Sequence, residues 1–181
     1  NCGWNVEEAI TAVKKLSRFD LSAVEAPIPR GSYDDLKRLK EQISVPILVD
    51  EFFINATDAK ELIHAEACDL FNLRLSKLGG IGPTLKLAEF VRESGNGYQL
   101  GCHVGETAIL SAAGRHVAAS LGDCISVEGS YGTYLLTEDV STKPINFGFS
   151  GKAPALKGLG LGIELDRKVL EEYTTEKRSL S

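Results

Sequence analysis

Short apolar runs recur along this chain at a nearly constant distance, and that recurrence limits the fold more than any other feature. The runs are Ser22–Glu25, Pro46–Asp50, Leu70–Leu75, Tyr98–Cys102 and Cys124–Glu128, and their starts lie 24, 24, 28 and 26 residues apart. Each has the length of a strand buried on both faces. Helical periodicity fills the gaps: Val6, Ala9, Ile10, Val13 and Leu16; Leu36, Leu39 and Ile43; Ala59, Leu62 and Ile63; Leu85, Ala88 and Val91; Ile109, Ala112, Ala113, His116 and Val117. Start signals precede these segments. Asn5 has Glu8 three residues on, Ser32 and Thr57 stand at cap positions, and Gly82-Pro83 places a proline in a first helical turn. Strand, helix and strand at this rhythm describe βα units in a parallel sheet and not hairpins.

Two architectures accept five such units. A complete doubly wound sheet of the flavodoxin type uses five strands, whereas a closed barrel of eight βα units takes about 250 residues. With 181 residues the chain fits the first by length and the second only as strands four to eight of a partial TIM barrel. The expected division is a partial barrel over residues 1–140 and a C-terminal return segment over 141–181, where Gly, Pro and Ser accumulate before a short helical stretch Asp166–Tyr173. The chain begins at Asn1 without a methionine, so it is expected to be part of a longer protein.

Composition removes several partner classes. The 20 basic residues are outnumbered by 25 acidic ones, and no Lys/Arg run offers the footprint that nucleic acid or an anionic membrane needs. No stretch is long and apolar enough for a membrane span. The four cysteines, at 2, 68, 102 and 124, include no close pair, which fits neither zinc ligation nor a disulfide framework and points to reduced thiols in the cytoplasm.

The polar residues choose between the architectures. Glu25, Asp50 with Glu51, Arg74, His103 and Glu128 fall at or just past the carboxyl end of five different strands, the rim on which barrel and open-sheet sites are built. One such residue is explained as a helix cap; five strands of five point to a shared site. Alternation along Leu70–Leu75 puts Asn72, Arg74 and Ser76 on one face and Phe71, Leu73 and Leu75 on the other. By the same rule Asp50 and Glu51 face opposite ways. Carboxylates from adjacent strands with no clustered Cys or His offer hard oxygen ligands, which suit Mg²⁺ or Mn²⁺ better than zinc.

These residues carry a specific resemblance. Val24-Glu25-Ala26-Pro27, Pro46-Ile47-Leu48-Val49-Asp50-Glu51, Asn72-Leu73-Arg74-Leu75-Ser76-Lys77-Leu78-Gly79-Gly80 and Gly105-Glu106-Thr107 resemble the barrel domain of the enolase superfamily, in its mandelate racemase and muconate lactonizing branch. Leu135-Leu136-Thr137-Glu138-Asp139 and Gly160-Leu161-Gly162-Ile163-Glu164-Leu165-Asp166 resemble that branch's ending. The resemblance implies a Mg²⁺-dependent isomerase or lyase that removes the proton α to a carboxylate of a small substrate. It implies that Glu25 and Asp50 are metal ligands, with a third ligand before Asn1, and that Arg74, His103 and Glu128 lie at the catalytic positions. The position of Arg74 is normally lysine in one branch and aspartate in the other. Lys77 is read as a loop or helix-start residue and not as a base, and Glu106 as a rim residue or helix-start carboxylate.

Arginine at that position limits the chemistry. A lysine starts near pKa 10.4 and is brought toward 7 by burial and a neighbouring cation, while a guanidinium starts above about 12. Arg74 is therefore expected to grip an oxygen and not to take a proton, which favours one-base cycloisomerisation or dehydration over two-base racemisation. A homo-oligomer is expected, since the sheet edge beside the first run would otherwise lack a neighbour. Two other readings stand beside this one: a non-catalytic barrel segment serving binding or assembly, and a flavodoxin-like module with a phosphate at the Gly79–Gly82 turn. His64 and His116 lie within helices and are read as packing or surface residues.

Overall fold

Four of the five apolar runs pair as parallel strands in the order β1-β2-β3-β4. They are β1 (Val24–Glu25), β2 (Ile47–Val49), β3 (Leu70–Arg74) and β4 (Gly97–Gly101). This computed structural model describes residues 1–129 and 132–178. Its contacts divide the chain into two units, one formed by Asn1–Gly101 with Asp123–Val127 and the other by Cys102–Gly122 with the described residues from Glu128 onward.

In the first unit, three helices start where a side chain replaces the backbone acceptor that a first turn lacks. Asn5 accepts from the Glu8 N–H at 3.0 Å while the Glu8 carboxylate accepts from the Asn5 N–H at 2.9 Å, a complete capping box for α1 (Val6–Leu16). Ser32 caps α2 (Tyr33–Gln42). The cap of α3 (Ala56–His64) is Asn55, which accepts from Thr57 and Asp58, and not the expected Thr57. The amide oxygen two residues earlier reaches the first-turn N–H groups, one of which belongs to Thr57 itself. The Gly79-Gly80 turn, with φ of 90° and 99°, separates a four-residue helix α4 (Leu75–Leu78) from α5 (Ile81–Glu93), whose first turn holds Pro83. Leu75 thus opens a helix, and Ser76 leaves the strand face on which alternation had put it.

The core follows from these placements. Ile47, Leu48 and Val49 are all buried, as expected for a strand covered on both faces, and they are joined by Phe71, Leu73, Leu36, Leu39, Leu62, Ala88 and Val91. Phe53 meets Phe71 edge-on at a centroid distance of 5.1 Å. The fifth run forms a shorter ladder than expected. Ile125 donates to the Tyr98 carbonyl and Ser126 accepts from Leu100, both at 3.0 Å, and a single parallel bridge joins Leu100 to Val127. Beside β1, the Cys2 and Trp4 N–H groups donate to the carbonyls of Ala26 and Pro27, so the chain itself supplies hydrogen bonds just past that strand.

The second unit contains α6 (Ala108–Leu121), α7 (Gly132–Leu135) and α8 (Arg167–Glu172), the last capped by Asp166. Asp139 accepts from the Ala108 N–H at 2.9 Å at the start of α6, and His116 Nε2 lies 3.0 Å from the Leu161 carbonyl. Among the described residues, no helix is long and apolar enough to cross a membrane. The four cysteines are free thiols, and burial holds the Cys68 thiol at a pKa of about 12.

Tyr98 joins β4 to the start of the fifth run through a hydrogen bond from its hydroxyl to Asp123, and burial together with this carboxylate raises the phenol to about 12. The folded chain therefore keeps a proton that the unfolded chain releases near its ordinary pKa of about 10. This stabilisation is fully present below about pH 10 and is lost as pH climbs toward 12. Tyr98→Phe is expected to cost about 1 kcal/mol at neutral pH, with the gap to wild type closing in urea unfolding as pH rises from about 10 toward 12. A gap that stays constant across that range would contradict the assignment.

Candidate active site

At the carboxyl ends of β1, β2 and β3, Glu25, Asp50 and Arg74 come together. Register explains why: Glu25 pairs with Leu48, Val49 with Phe71 and Arg74 with Gly101, so the last residues of neighbouring parallel strands open onto one end of the sheet. The Arg74 guanidinium forms an ion pair with Asp50 Oδ2 through Nη2, and the same nitrogen lies 3.7 Å from Glu25 Oε1. Glu25 Oε1 also accepts from Asn72 Nδ2 at 2.7 Å, so the alternation that set Asn72 and Arg74 on one face is realised in their contacts.

Asp50 is 3% exposed and carries a second cation, with Lys77 Nζ 2.7 Å from Oδ1. The ammonium also donates to the carbonyls of Asp50 and Asn72, each at 3.0 Å, which commits its three N–H groups. Burial lowers the pKa of Lys77 and the Asp50 carboxylate opposes that shift. The ring of Phe53 lies 5.1 Å below the ammonium. Lys77 belongs to α4, three residues beyond Arg74, and its side chain turns back beneath the strand ends. Its place in α4 agrees with a helix-start residue, and its contacts with Asp50 go beyond that expectation. The available signal was its i+3 spacing from Arg74 at a strand-to-helix junction, which returns a long side chain to the same end of the sheet.

Glu51 takes a different partner from Asp50. It lies beside the Cys2 thiol, and burial and this carboxylate both raise the thiol's pKa, while Glu51 Oε2 is buried without a hydrogen-bond partner. A polar row continues across the sheet from Glu25 through Asn72 and its register partner Gln99 to Ser126, whose hydroxyl donates to Gln99 Oε1 at 2.8 Å. Within that row Asn72 Oδ1 and Gln99 Nε2 are buried without partners. Gly101 leaves the space Asn72 occupies, since a Cβ there would lie 1.9 Å from Asn72 Oδ1.

His103 and Glu128 belong to the second unit. The His103 N–H donates to Glu106 Oε1 at 2.7 Å, and Glu128 Oε2 accepts from the Cys102 N–H at 3.4 Å. The Glu106 carboxylate thus closes back on His103 within the turn before α6.

Among the described residues no three of His, Cys, Asp and Glu converge to hold a metal ion. Glu25 and Asp50 supply hard oxygen donors from adjacent strands, and the guanidinium nitrogen shared between them shows that the pair accommodates a cation. By donor chemistry the two carboxylates fit magnesium.

The family model described as "Enolase C-terminal domain-like" matches residues 1–169. The chain belongs to this family, and its α/β fold with a parallel sheet is a partial TIM barrel. It is 31% identical over 177 residues to an N-succinyl-L-Arg/Lys racemase of Bacillus cereus, a match covering 96% of this chain and 46% of the relative. It is 32% identical over 175 residues to a chloromuconate cycloisomerase of Cupriavidus necator, with the same two coverages. Among solved structures, a dipeptide epimerase from Cytophaga hutchinsonii, complexed with Mg and the dipeptide D-Ala-L-Val, superposes with a TM-score of 0.87 at 28% identity, covering 95% of this chain and 46% of that one. The chain spans about half the length of the curated relatives it matches.

Gly101→Ala is expected to push Asn72 off Glu25 and to destabilise the chain by about 1–3 kcal/mol in urea unfolding. Asn72→Ala in the same background removes the clash, so the double variant is expected to be more stable than the sum of the single losses. Additivity within about 0.5 kcal/mol would show that the two positions do not meet.

Proposed function

We propose that this chain carries the metal-ligating part of an isomerase or lyase that removes the proton α to the carboxylate of a small substrate. The observation that carries the reading is the meeting of Glu25, Asp50 and Arg74 at one end of the sheet, in a family whose relatives are cycloisomerases, racemases and epimerases. Residues 1–140 are assigned to the catalytic barrel and 141–181 to its return segment. The protein is assigned to the cytoplasm as a homo-oligomer.

In this reading Glu25 and Asp50 hold Mg²⁺, with Mn²⁺ as a substitute. When bound, the ion would supply positive charge to offset the negative charge that develops on the substrate carboxylate as the α proton leaves. Arg74 binds a carboxylate oxygen of the substrate through its planar fork, and a guanidinium stays protonated at any pH where enzymes work. Lys77 gives all three N–H groups to Asp50 and Asn72, so it orients the Asp50 carboxylate and takes no proton. His103 and Glu128 are assigned the return of a proton. With neither Arg74 nor Lys77 acting as a base, the α proton passes to a single base that the full gene product supplies outside this chain, so abstraction runs from one face of the α carbon.

The test uses the full gene product that contains this chain, in D₂O with N-succinyl amino acids, dipeptides and chloromuconates. The expected result is magnesium-dependent deuterium incorporation on a single face. Arg74→Met is expected to lower kcat/KM by about 10- to 100-fold, the worth of one charge-assisted hydrogen bond, and Arg74→Lys to recover part of it. Incorporation on both faces, with Arg74→Met losing exchange on only one, would show Arg74 to be a base and overturn the assignment.

A further inference from the structure

The cation position between Glu25 and Asp50 is taken by the chain itself. Two carboxylates meet two cations there, so the cluster of Glu25, Asp50, Arg74 and Lys77 is neutral without any ion from solution. A divalent ion held by oxygens of Glu25 and Asp50 would sit about 2.0–2.1 Å from them, and Arg74 Nη2 already contacts one of these carboxylates and approaches the other. Both positive groups cannot share that space, and at a carboxylate 3% exposed their repulsion is weakly screened by water.

The two resident cations are held differently. Lys77 is fixed by three acceptors and is 11% exposed. Arg74 reaches both carboxylates with Nη2, its Nε is buried without an acceptor, and its side chain is 20% exposed. When a second positive charge enters, the guanidinium is the group with both a route to solvent and the fewer bonds to lose.

We propose that Arg74 is an internal counter-cation that closes the carboxylate pair in the metal-free chain and is displaced when a divalent ion binds there, which frees its guanidinium for the substrate carboxylate. The inference rests on the reading of Glu25 and Asp50 as metal ligands. It adds an order of events: the arginine serves Asp50 first and the substrate second, so occupancy of the metal site sets when the substrate-binding fork is available.

The test is Mn²⁺ binding followed by electron paramagnetic resonance and calorimetry on the full gene product, with thermal unfolding of each species in EDTA and in excess Mn²⁺. The variants are Arg74→Met, Arg74→Gln, Glu25→Gln and Asp50→Asn, and circular dichroism checks that each is folded. Arg74→Met and Arg74→Gln are expected to bind Mn²⁺ more tightly than wild type by roughly tenfold or more, since an opposing charge has been removed. In EDTA both are expected to melt below wild type, and excess Mn²⁺ is expected to abolish that difference. Equal or weaker Mn²⁺ binding by both arginine variants overturns the inference while leaving the ligand assignment intact, provided Asp50→Asn and Glu25→Gln lose the ion. Unchanged binding in Asp50→Asn and Glu25→Gln overturns the ligand assignment and the inference with it. An absence of binding in every species, arginine variants included, also overturns the inference, because removal of the guanidinium would then have opened no site.

Discussion

A carboxylate that water scarcely reaches governs this end of the molecule. Asp50 closes a strand whose three residues are all buried, and an ionised group in that position costs several kcal/mol unless cations and hydrogen bonds replace its hydration. Lys77 and Arg74 supply that replacement from the next strand and the helix that follows it. Loss of one partner from such an arrangement is typically worth about 3–5 kcal/mol, because the remaining charge stays buried and underpaired. The ion pairs at the site therefore tie β2 to β3 and α4 as well as setting the direction of the Asp50 oxygens.

Much of the local structure serves that junction. The glycine pair at 79 and 80 adopts a left-handed backbone that would strain other residues, and it lets α4 end after one turn so that Lys77 lies beneath the strand ends. Phe53 packs on Phe71 and lies under the Lys77 ammonium, so the aromatic core and the charged cluster share a wall. On the other side Asn72 spans to Glu25, in space that exists because residue 101 has no side chain. A polar residue in the middle of β3 is thereby the link between the first and third strands of the sheet.

The sequence made the strand order and the cluster of Glu25, Asp50 and Arg74 legible for one reason: parallel βα units put the residue after each apolar run at the same end of the sheet. Alternation was equally reliable on β3 while the strand lasted, and it failed at Ser76 because the chain had already turned into α4. Lys77 does stand at a helix start, but its contact with Asp50 was not legible, since a rule of period two says nothing about a side chain that starts on a helix and folds back. The cap of α3 was misplaced by two residues because Asn55 and Thr57 are both good cap residues, and only the backbone path shows which of them faces the free N–H groups. The fifth run was legible as an apolar segment but not as a ladder, because among the described residues its backbone is joined to β4 by one bridge and two hydrogen bonds.

The claim on which the rest depends is that Glu25 and Asp50 form a cation site shared by the chain's own arginine and a divalent ion. Crystals of the protein grown without metal and then soaked in Mn²⁺, with anomalous diffraction recorded before and after, test this at the atoms concerned. Arg74 is expected on Asp50 before the soak. After it, an anomalous peak should stand within about 2.2 Å of carboxylate oxygens from both Glu25 and Asp50, with the guanidinium withdrawn and Lys77 unmoved. A guanidinium that stays on Asp50 with no peak beside it, or a peak that forms while Arg74 keeps its contact, would contradict the account.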